Sequence, residues 1–311
     1  MKRNKLIGVI LCAGKGTRIK KLPFKKPKTL LEILGKSIIN YQIEMLIKSG
    51  IKDLIIVIGK NGNHIKNNII SKNYSKTNIK FINDKNPKGI SSSLDKVKNY
   101  VKNSFILFLG DIFTDKVYLA KMIKKFNDTK SSCVIASTKE SNLDIIKKNF
   151  TVHISKNSIV TKVIEKPKIP KSNIKGVGIY MFKKDVFNSI KYVSKHKDVK
   201  KRFDITEVIQ NLIEREKVVT NSLCVKNDFN INEPKDLWKL NFKKLGKKNN
   251  FISKNCKIGK NFKIQKSIIG ENVNIGNNVK IKNSIIFSNS KISDDSLIKN
   301  RIVTQYGYLM I

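Results

Sequence analysis

The chain has little cysteine, little histidine and no long hydrophobic run. Its four cysteines lie far apart and form no CxxC pair; they are Cys12, Cys133, Cys224 and Cys256. Neither a zinc site nor a disulfide framework is therefore indicated, and a reducing, cytoplasmic compartment fits this pattern. No apolar segment has the length of a membrane-spanning helix, so we expect no membrane partner.

The start of the chain superficially resembles a secretory signal, because basic residues precede the apolar run 6–13. That run is only eight residues long, contains a glycine and continues into a polar loop without a cleavage site. A buried strand is the better interpretation of this run.

Acidic residues are also scarce. The 23 Asp and Glu are outnumbered by 64 Lys and Arg, which gives a formal net charge of +41. Such a charge suggests a polyanionic partner. Lysine is, however, abundant even in the apparent strands and turns, and no helix-turn-helix, RNP or zinc-finger spacing occurs. We therefore expect phosphorylated substrates and no nucleic-acid partner, and we keep a nucleic-acid binder as the lesser alternative.

Short apolar runs alternate with amphipathic stretches up to about residue 110. They predict, in order, strand 6–12, helix 37–49, strand 54–58, strand 79–83, helix 91–102 and strand 105–109. Continuous apolar strands separated by helices indicate a parallel sheet covered on both faces. Ligands bind beyond the carboxyl ends of such strands, which is where the loops at Gly14 and Asp111 lie.

The next part of the chain predicts a mixed extension of this sheet that walls a substrate pocket. The strand patterns cover 132–137, 150–154, 159–165 and 176–182. Helices at 204–215 and 234–245, around a strand near 218–225, complete a first domain at 1–245, and the basic stretch 243–250 is predicted to be a linker. The fold class is thus α/β, a Rossmann-like domain with a mixed sheet.

An internal repeat occupies the end of the chain. The segment that begins at Ile264 recurs seventeen residues later at Ile281 and begins again at Ile298. Isoleucine recurs at about every sixth position from 252 to 298. Such hexads place one inward aliphatic residue on each face of a triangular solenoid, and they predict a short left-handed parallel β-helix at 246–311. Ordinary hairpins are the alternative.

The first predicted strand leads into the glycine-rich loop LCAGKGTR at residues 11–18, and Lys28 follows ten residues after Arg18. Glycines allow backbone N–H groups to approach a phosphate, while Arg18 and Lys28 supply the charge that a triphosphate demands. The spacing fits neither a Walker loop nor the dinucleotide fingerprint. The combination of GxGTR with PK resembles the nucleotidyltransferases that activate sugar phosphates, such as glucose-1-phosphate thymidylyltransferase and mannose-1-phosphate guanylyltransferase.

The resemblance extends over nearly the whole chain and implies roles for particular residues. It implies that the nucleotide is bound by Leu11, Ala13, Gly14, Gly16, Thr17, Arg18, Lys28, Asp84 and Gly89. Asp111 closes a strand where the family places a Mg²⁺-binding Asp. In the EKP match at residues 165–167, the resemblance implies that Glu165 contacts sugar hydroxyls and Lys166 the sugar phosphate.

Two later segments also resemble family motifs. The GVGIY run at 176–180 resembles the strand that lines the sugar pocket, which assigns Gly178 to the sugar phosphate, and FDITE at 203–207 resembles a helix start of the family. The FNINEP run at 229–234 resembles the segment with the second metal ligand, which makes Asn230 that ligand, with Asp228 as the alternative. The catalytic residues implied are Arg18, Lys28, Asp111 and Lys166.

This assignment is chemically coherent. Mg²⁺ prefers oxygen ligands and keeps several waters, so one carboxylate and one amide oxygen plus substrate phosphates suffice. The expected reaction is in-line attack of a sugar-1-phosphate oxygen on the α-phosphorus of an NTP, with release of pyrophosphate. A phosphate monoester is already ionised at neutral pH, so no general base is needed. The three histidines, none placed like a catalytic pair, agree with this.

Several departures leave the base and the acceptor open. Asp84 stands where many relatives carry a base-reading Gln, Asn149-Phe150 replaces a usual Tyr-Gly, and the serines after Gly89 are closer to cytidylyltransferases for phosphocholine and related phospho-alcohols. Such a cytidylyltransferase is the first alternative. The second is a non-catalytic regulatory or scaffold homologue, because the sequence also resembles subunits of translation initiation factor 2B.

The tail has an expected role of its own. Hexad β-helices that are acyltransferases usually carry a histidine, and residues 247–311 contain none. We therefore expect an assembly or regulatory element, and a homo-oligomer, whose tail could be deleted with little effect on turnover.

Overall fold

The structure is a computed structural model that describes residues 6–14, 19, 21–196 and 204–311. The chain divides into two compact units. The first comprises Met1–Gly14 and Gln42–Asp228, and the second comprises Lys15–Tyr41 and Phe229–Ile311. The division into domains at 1–245 and 246–311 stays a prediction.

The α-helices of the described residues are α1 (Ile38–Lys48), α2 (Gly62–Ser71), α3 (Ile90–Asp95), α4 (Leu119–Asp128), α5 (Leu143–Lys147), α6 (Val186–His196), α7 (Ile205–Glu214) and α8 (Pro234–Leu245). Short 3-10 helices lie at Lys28–Leu30, Lys98–Tyr100 and Lys156–Ser158. No helix in the described ranges is both long enough and apolar enough to cross a membrane.

The strands up to residue 229 are β1 (Ile7–Cys12), β2 (Glu32–Ile33), β3 (Lys36–Ser37), β4 (Asp53–Ile58), β5 (Asn78–Asn83), β6 (Ser104–Leu109), β7 (Phe113–Val117), β8 (Cys133–Lys139), β9 (Phe150–Ile154), β10 (Val160–Glu165), β11 (Ile174–Lys183), β12 (Val219–Ser222) and β13 (Val225–Phe229). Those of the tail are β14 (Asn250–Ile252), β15 (Lys257–Ile258), β16 (Lys263–Gln265), β17 (Ser267–Ile269), β18 (Asn274–Ile275), β19 (Lys280–Lys282), β20 (Ile285–Ile286), β21 (Lys291–Ile292), β22 (Leu297–Lys299), β23 (Arg301–Thr304) and β24 (Gly307–Met310).

A nine-stranded mixed sheet forms the first unit. Its main path runs β10-β9-β11-β6-β1-β4-β5, with β8 beside β11 and β12 beside β8. β1 is parallel to both β4 and β6, whereas β11 is antiparallel to β6. Continuous apolar strands such as β6 are buried on both faces, as parallel strands under helices require. The predicted α/β class with a mixed sheet is confirmed.

The core of the first unit lies on this sheet. It includes Val9, Val57, Phe105 and Leu107 from the parallel strands and the aromatic residues of β11. The rings of Phe105 and Phe182 have centroids 5.7 Å apart, as do those of Tyr180 and Phe182. This packing fixes the strands whose carboxyl ends carry the candidate site.

Some predicted boundaries differ from the structure. The helix predicted at 91–102 is the short α3 followed by a 3-10 turn at Lys98–Tyr100. The strand predicted near 218–225 is two strands, β12 and β13. The predicted linker at 243–250 begins inside α8, which continues to the buried Leu245.

Three parallel sheets build the tail. They are β14-β17-β20-β23, with β24 antiparallel at the edge, then β15-β18-β21, and β16-β19-β22. Partners are seventeen residues apart, as in Ile264 with Ile281 and Ile268 with Ile285. The predicted parallel β-helix is confirmed, and its left-handedness stays a prediction.

Stacking explains which tail aliphatics are buried. The inward residues from Ile269 to Ile298 form the tail core, whereas Ile252 and Ile258 are 42% and 44% exposed. These two belong to the first coil, which stacks on a coil on one side only. Asparagine occupies many corners with positive φ, a conformation that it tolerates better than most residues.

Candidate active site

The end of β1 begins the candidate nucleotide site. Leu11 is half-buried, Ala13 is buried and Gly14 is exposed, so the chain emerges from the core at the predicted loop. Gly16, Thr17 and Arg18 lie outside the described residues. Lys28 is half-buried and opens the 3-10 helix Lys28–Leu30, directly after Pro27.

The end of β6 passes very close to the end of β1. The Gly110 N–H donates to Leu11 O at 2.9 Å, and a Cβ on Gly110 would lie 2.7 Å from that same oxygen. Only glycine permits this approach. This close approach leaves Asp111 exposed next to the end of β1, near Leu11. Asp111 therefore lies on the sheet edge that the sequence indicates.

Gln42 holds the turn that carries Asp111. Its side chain is 3% exposed, and its Nε2 donates to Leu109 O and to Ile112 O, both at 2.9 Å. These two carbonyls bracket Asp111 in the chain. A buried amide from α1 thus fixes the backbone on both sides of the carboxylate.

Asp84 is buried rather than open to solvent. It is 5% exposed, and its Oδ2 accepts a 2.7 Å hydrogen bond from Ser93 Oγ. Gly89 precedes α3 with a φ of 145°, which favours glycine at this position. The serines after Gly89 therefore secure Asp84 and the start of α3.

Glu165 ends β10 and Lys166 follows it, and both side chains are partly exposed. Lys166 Nζ lies 4.0 Å from Glu165 Oε1, and Thr206 Oγ1 donates to Glu165 Oε2 at 3.4 Å. Lys166 has a φ of 44°, and its N–H donates to Asn149 O at 2.7 Å. The positive φ of Lys166 follows directly after the end of β10 at Glu165.

A cavity of about 430 Å³ opens beside Glu165, between β10 and helices α6 and α7. Most of its polar lining groups are hydrogen-bond acceptors or can act as such, among them Glu165, Gln210 and Asn211. Asn211 is 7% exposed, and its Oδ1 has no hydrogen-bond partner within the described chain. Asn211 therefore belongs to a polar, acceptor-rich wall of the cavity.

Gly178, within β11, lies against the turn that carries Asp111. It has a φ of +73°, and a Cβ there would lie 2.3 Å from Ile112 Cδ1. The backbone conformation favours glycine here, and the absence of a Cβ leaves room for the Ile112 side chain. The structure therefore brings Gly178, the Asp111 turn and the end of β1 together along β11, β6 and β1.

A buried ion pair lies on the same strand as Gly178. Lys175 is 2% exposed, and its Nζ lies 2.8 Å from Asp228 Oδ1 and 3.0 Å from Oδ2. Both carboxylate oxygens of Asp228 are therefore engaged by Lys175. Asn230, two residues later, is half-buried and belongs to the second unit.

The described residues contain no cluster of three or more His, Cys, Asp or Glu side chains that could hold a metal ion. A metal bound only by protein side chains would need such a cluster. A Mg²⁺ that arrives with nucleotide phosphates needs only one or two protein ligands. Asp111 and Asn230 have the right donor chemistry for this second case.

Two buried residues of the site were missed at the sequence level. Gln42 interrupts the apolar face of α1 between Ile39 and Ile43, and Lys175 interrupts the apolar strand β11. A polar residue in an otherwise apolar, buried pattern is the signal that could have identified each of them.

Two family models match the chain. The model described as nucleotidyl transferase matches residues 7–260, and the model described as GMPPB C-terminal domain matches residues 247–308. A Bacillus anthracis protein assigned as a glucose-1-phosphate thymidylyltransferase, solved with sucrose, has the same fold, with a TM-score of 0.64 and 21% identity over 76% of this chain and 94% of that one.

Curated relatives include several sugar-phosphate enzymes. The UTP–glucose-1-phosphate uridylyltransferase AglF of Haloferax volcanii is 29% identical over 66% of this chain and 82% of its own length. The D-glycero-alpha-D-manno-heptose 1-phosphate guanylyltransferase of Campylobacter jejuni is 28% identical over 74% and 96%. The bifunctional protein GlmU of Methanocaldococcus jannaschii is 33% identical over 68% of this chain, which spans 47% of that relative. The chain thus spans only about half the length of such bifunctional relatives.

Proposed function

Because the chain belongs to the nucleotidyl transferase family, we propose that it transfers a nucleotidyl group from an NTP to a sugar-1-phosphate and releases pyrophosphate. The observation that carries the proposal is the close passage of β6 beside β1, where the Gly110 N–H bonds Leu11 O. It brings a carboxylate, Asp111, to the edge from which the glycine-rich loop starts. Relatives named for glucose, heptose and mannose 1-phosphates support a sugar phosphate as the acceptor.

In this proposal the loop after β1 binds the NTP. Gly14, Gly16 and Thr17 belong to the glycine-rich loop that binds the nucleotide, while Arg18 and Lys28 supply the charge that the triphosphate demands. Leu11 and Ala13 are assigned to nucleotide binding as well. Asp84 and Gly89 form the base side, and the buried, Ser93-bound position of Asp84 makes it a support for that wall.

We assign the metal to Asp111 and Asn230. Mg²⁺ suits this oxygen donor set, because it accepts few protein ligands and keeps water and phosphate oxygens. When bound, it supplies charge neutralisation at the phosphates. Asp228 is the weaker candidate because both of its oxygens lie within 3.0 Å of Lys175 Nζ.

The acceptor is assigned to the β10–β11 side of the site. Lys166 binds its phosphate, Glu165 accepts hydrogen bonds from its hydroxyls, and Gly178 leaves room for it. The acceptor-rich lining of the cavity beside Glu165, which includes Gln210 and Asn211, supports a polyhydroxyl acceptor. The acceptor phosphate is already ionised, so the residues orient and neutralise the reactants rather than move a proton.

The cytidylyltransferase alternative rests on the serines after Gly89. The Ser92 hydroxyl donates to Gly89 O, and the Ser93 hydroxyl donates to Asp84. Both serines therefore stabilise the local structure. The serine run is therefore weaker support for a phospho-alcohol acceptor. A homo-oligomer, a cytoplasmic location and the absence of a nucleic-acid partner stay predictions.

The test is pyrophosphate release from each of four NTPs with glucose-1-phosphate, mannose-1-phosphate and phosphocholine as acceptors. We expect release with at least one sugar phosphate and a product whose mass equals NMP plus acceptor. Release with phosphocholine alone would replace the proposal by the cytidylyltransferase alternative. No release with any pair, from a folded protein, would favour the regulatory or scaffold alternative.

A further inference from the structure

The stretch 22–37 lies on either side of the 3-10 helix that starts at Lys28, and it is here called the Lys28 segment. It belongs to the same compact unit as α8 and the β-helix tail. Thr29, Leu30 and Leu31 are buried there. The hydrogen-bond partners of this segment in α8 and the tail lie more than 200 positions later in the chain.

The tail first contacts the Lys28 segment on its amino-terminal side. The rings of Phe24 and Phe287 meet edge to face, with centroids 5.5 Å apart. Thr304 Oγ1 donates a hydrogen bond to Pro23 O. An aromatic contact and a hydrogen bond thus fix the chain four and five residues before Lys28.

A second contact holds the carboxyl-terminal side. Glu32 Oε2 accepts hydrogen bonds from the Ser288 N–H at 3.0 Å and from Ser288 Oγ at 2.9 Å. A Cβ on Gly270 would lie 2.9 Å from the same oxygen, so glycine makes room for the carboxylate. Asn241 of α8 adds hydrogen bonds to Glu32 O and from the Leu34 N–H, at 2.9 and 2.8 Å.

Phe287 and Ser288 are adjacent residues of one β-helix turn. That single turn therefore contacts the segment both before and after Lys28. We propose that the β-helix tail positions Lys28 for the NTP, with Phe287 and Ser288 as positioning residues that act through Phe24 and Glu32. This rests on the proposed function, which assigns Lys28 to the triphosphate.

This role differs from the assembly role expected from the sequence. A tail used only for assembly could be altered at Ser288 without effect on nucleotide affinity. If the tail positions Lys28, a change at Ser288 should lower nucleotide affinity, and it should do so through Lys28. The two roles therefore make different predictions for point variants of the full chain.

The experiment compares Ser288→Ala, Glu32→Ala and Glu32→Gln with the control Ser290→Ala. Ser290 lies in the same tail turn, and its buried Oγ has no hydrogen-bond partner among the residues that the structure describes. Amide hydrogen exchange over residues 22–37 measures how strongly the tail contacts protect the backbone of the Lys28 segment. The KM for the NTP, or its Kd by calorimetry, reports on nucleotide positioning.

We expect faster exchange over 22–37 and an NTP KM raised about ten-fold in Ser288→Ala and Glu32→Ala, with a smaller change in kcat. Glu32→Gln keeps an acceptor oxygen and should fall between these variants and the wild type. Ser290→Ala should match the wild type. In a Lys28→Ala background, Ser288→Ala should raise KM no further, because its effect passes through Lys28.

Unchanged exchange over 22–37 in both Ser288→Ala and Glu32→Ala would overturn the proposal. So would faster exchange at unchanged NTP affinity, or a Ser288→Ala effect that persists fully in Lys28→Ala. If the wild type releases no pyrophosphate, the proposed function fails, while exchange and calorimetric NTP binding still decide whether the tail positions Lys28.

Discussion

Lys175 and Asp228 form an ion pair inside the protein, with the Lys175 Nζ 2.8 Å from Asp228 Oδ1. The side chains are 2% and 4% exposed, and Glu140 Oε2 lies 3.9 Å from the same Nζ. The pair ties β11, which carries Gly178, to β13, which leads to Asn230. It therefore supports the strand of Gly178 and the segment that leads to Asn230, to which we assign the acceptor and the metal.

Removal of the lysine charge should strongly destabilise the protein. Lys175→Met leaves the Asp228 carboxylate buried and unpaired, so the free energy of unfolding should fall by about 3–5 kcal/mol. The double variant with Asp228→Asn should recover much of the loss, because no buried charge remains. Urea denaturation measures both, and a single variant within about 1 kcal/mol of wild type would contradict the buried pair.

Glu32 should make stability depend on pH. Desolvation by burial raises its pKa from 4.5 to about 7, although the hydrogen bonds from Ser288 and the charge of Lys26 lower that pKa and Glu271 raises it further. The folded protein therefore keeps the proton up to about pH 7, whereas the unfolded chain loses it near pH 4.5. The free energy of unfolding should fall as pH rises through this window and level off above it.

The variant Glu32→Gln isolates this titration, since an amide does not ionise. Relative to the wild type, its unfolding free energy should rise between pH 4.5 and pH 7, by up to about 3 kcal/mol. Denaturation curves at pH 5, 6, 7 and 8 measure the difference. A difference that is constant with pH would show that Glu32 does not titrate in this window.

Asn278 tests the corners of the β-helix. It has a φ of 57°, donates to Asp295 Oδ1 at 2.9 Å and accepts from Asn261 Nδ2 at 2.9 Å. Asn278→Ala loses the hydrogen bonds and keeps a Cβ in the left-handed region, a conformation that alanine tolerates less well than asparagine. Asn278→Gly loses the same hydrogen bonds but also removes the Cβ and with it the steric cost of this conformation, about 1–2 kcal/mol. Glycine should therefore be the more stable variant in thermal denaturation, and the opposite order would contradict this account.

The regular parts of the fold were predictable because their hydrophobic residues recur at regular intervals in the sequence. The hexads from Ile264 onward anticipate the seventeen-residue register, and the strand at 150–154 and the helix at 234–245 have the predicted bounds. Helix α2 was missed because it is rich in asparagine and buries only Gly62, Ile65 and Ile69. Helix α4 was missed as well, although it buries Leu119, Met122 and Phe126 at a helical spacing that is visible in the sequence.

The site was predictable where neighbouring parallel strands end. The Gly14 and Asp111 loops follow β1 and β6, which pair directly. The supports of the site were less accessible, because they join residues far apart in the chain. Gln42 reaches a carbonyl 67 residues away, and Glu32 meets Ser288 across 256 residues. No local pattern encodes such contacts.

The central claim is that Asp111 supports nucleotidyl transfer through a divalent metal. Asp111→Asn keeps the shape of the side chain and removes one negative charge beside the phosphates. Loss of one such preorganised electrostatic contact typically costs ~10²- to 10³-fold in kcat. Asp111 is exposed, so the melting temperature should hardly change.

The decisive measurement is pyrophosphate release by the wild type and by Asp111→Asn, with the best pair of NTP and acceptor. It is made with and without EDTA, after thermal denaturation has shown that the two proteins have the same melting temperature. The account predicts that the variant loses ~10²- to 10³-fold in kcat and that EDTA abolishes wild-type turnover. Normal turnover by Asp111→Asn, or full wild-type activity in EDTA, would contradict it.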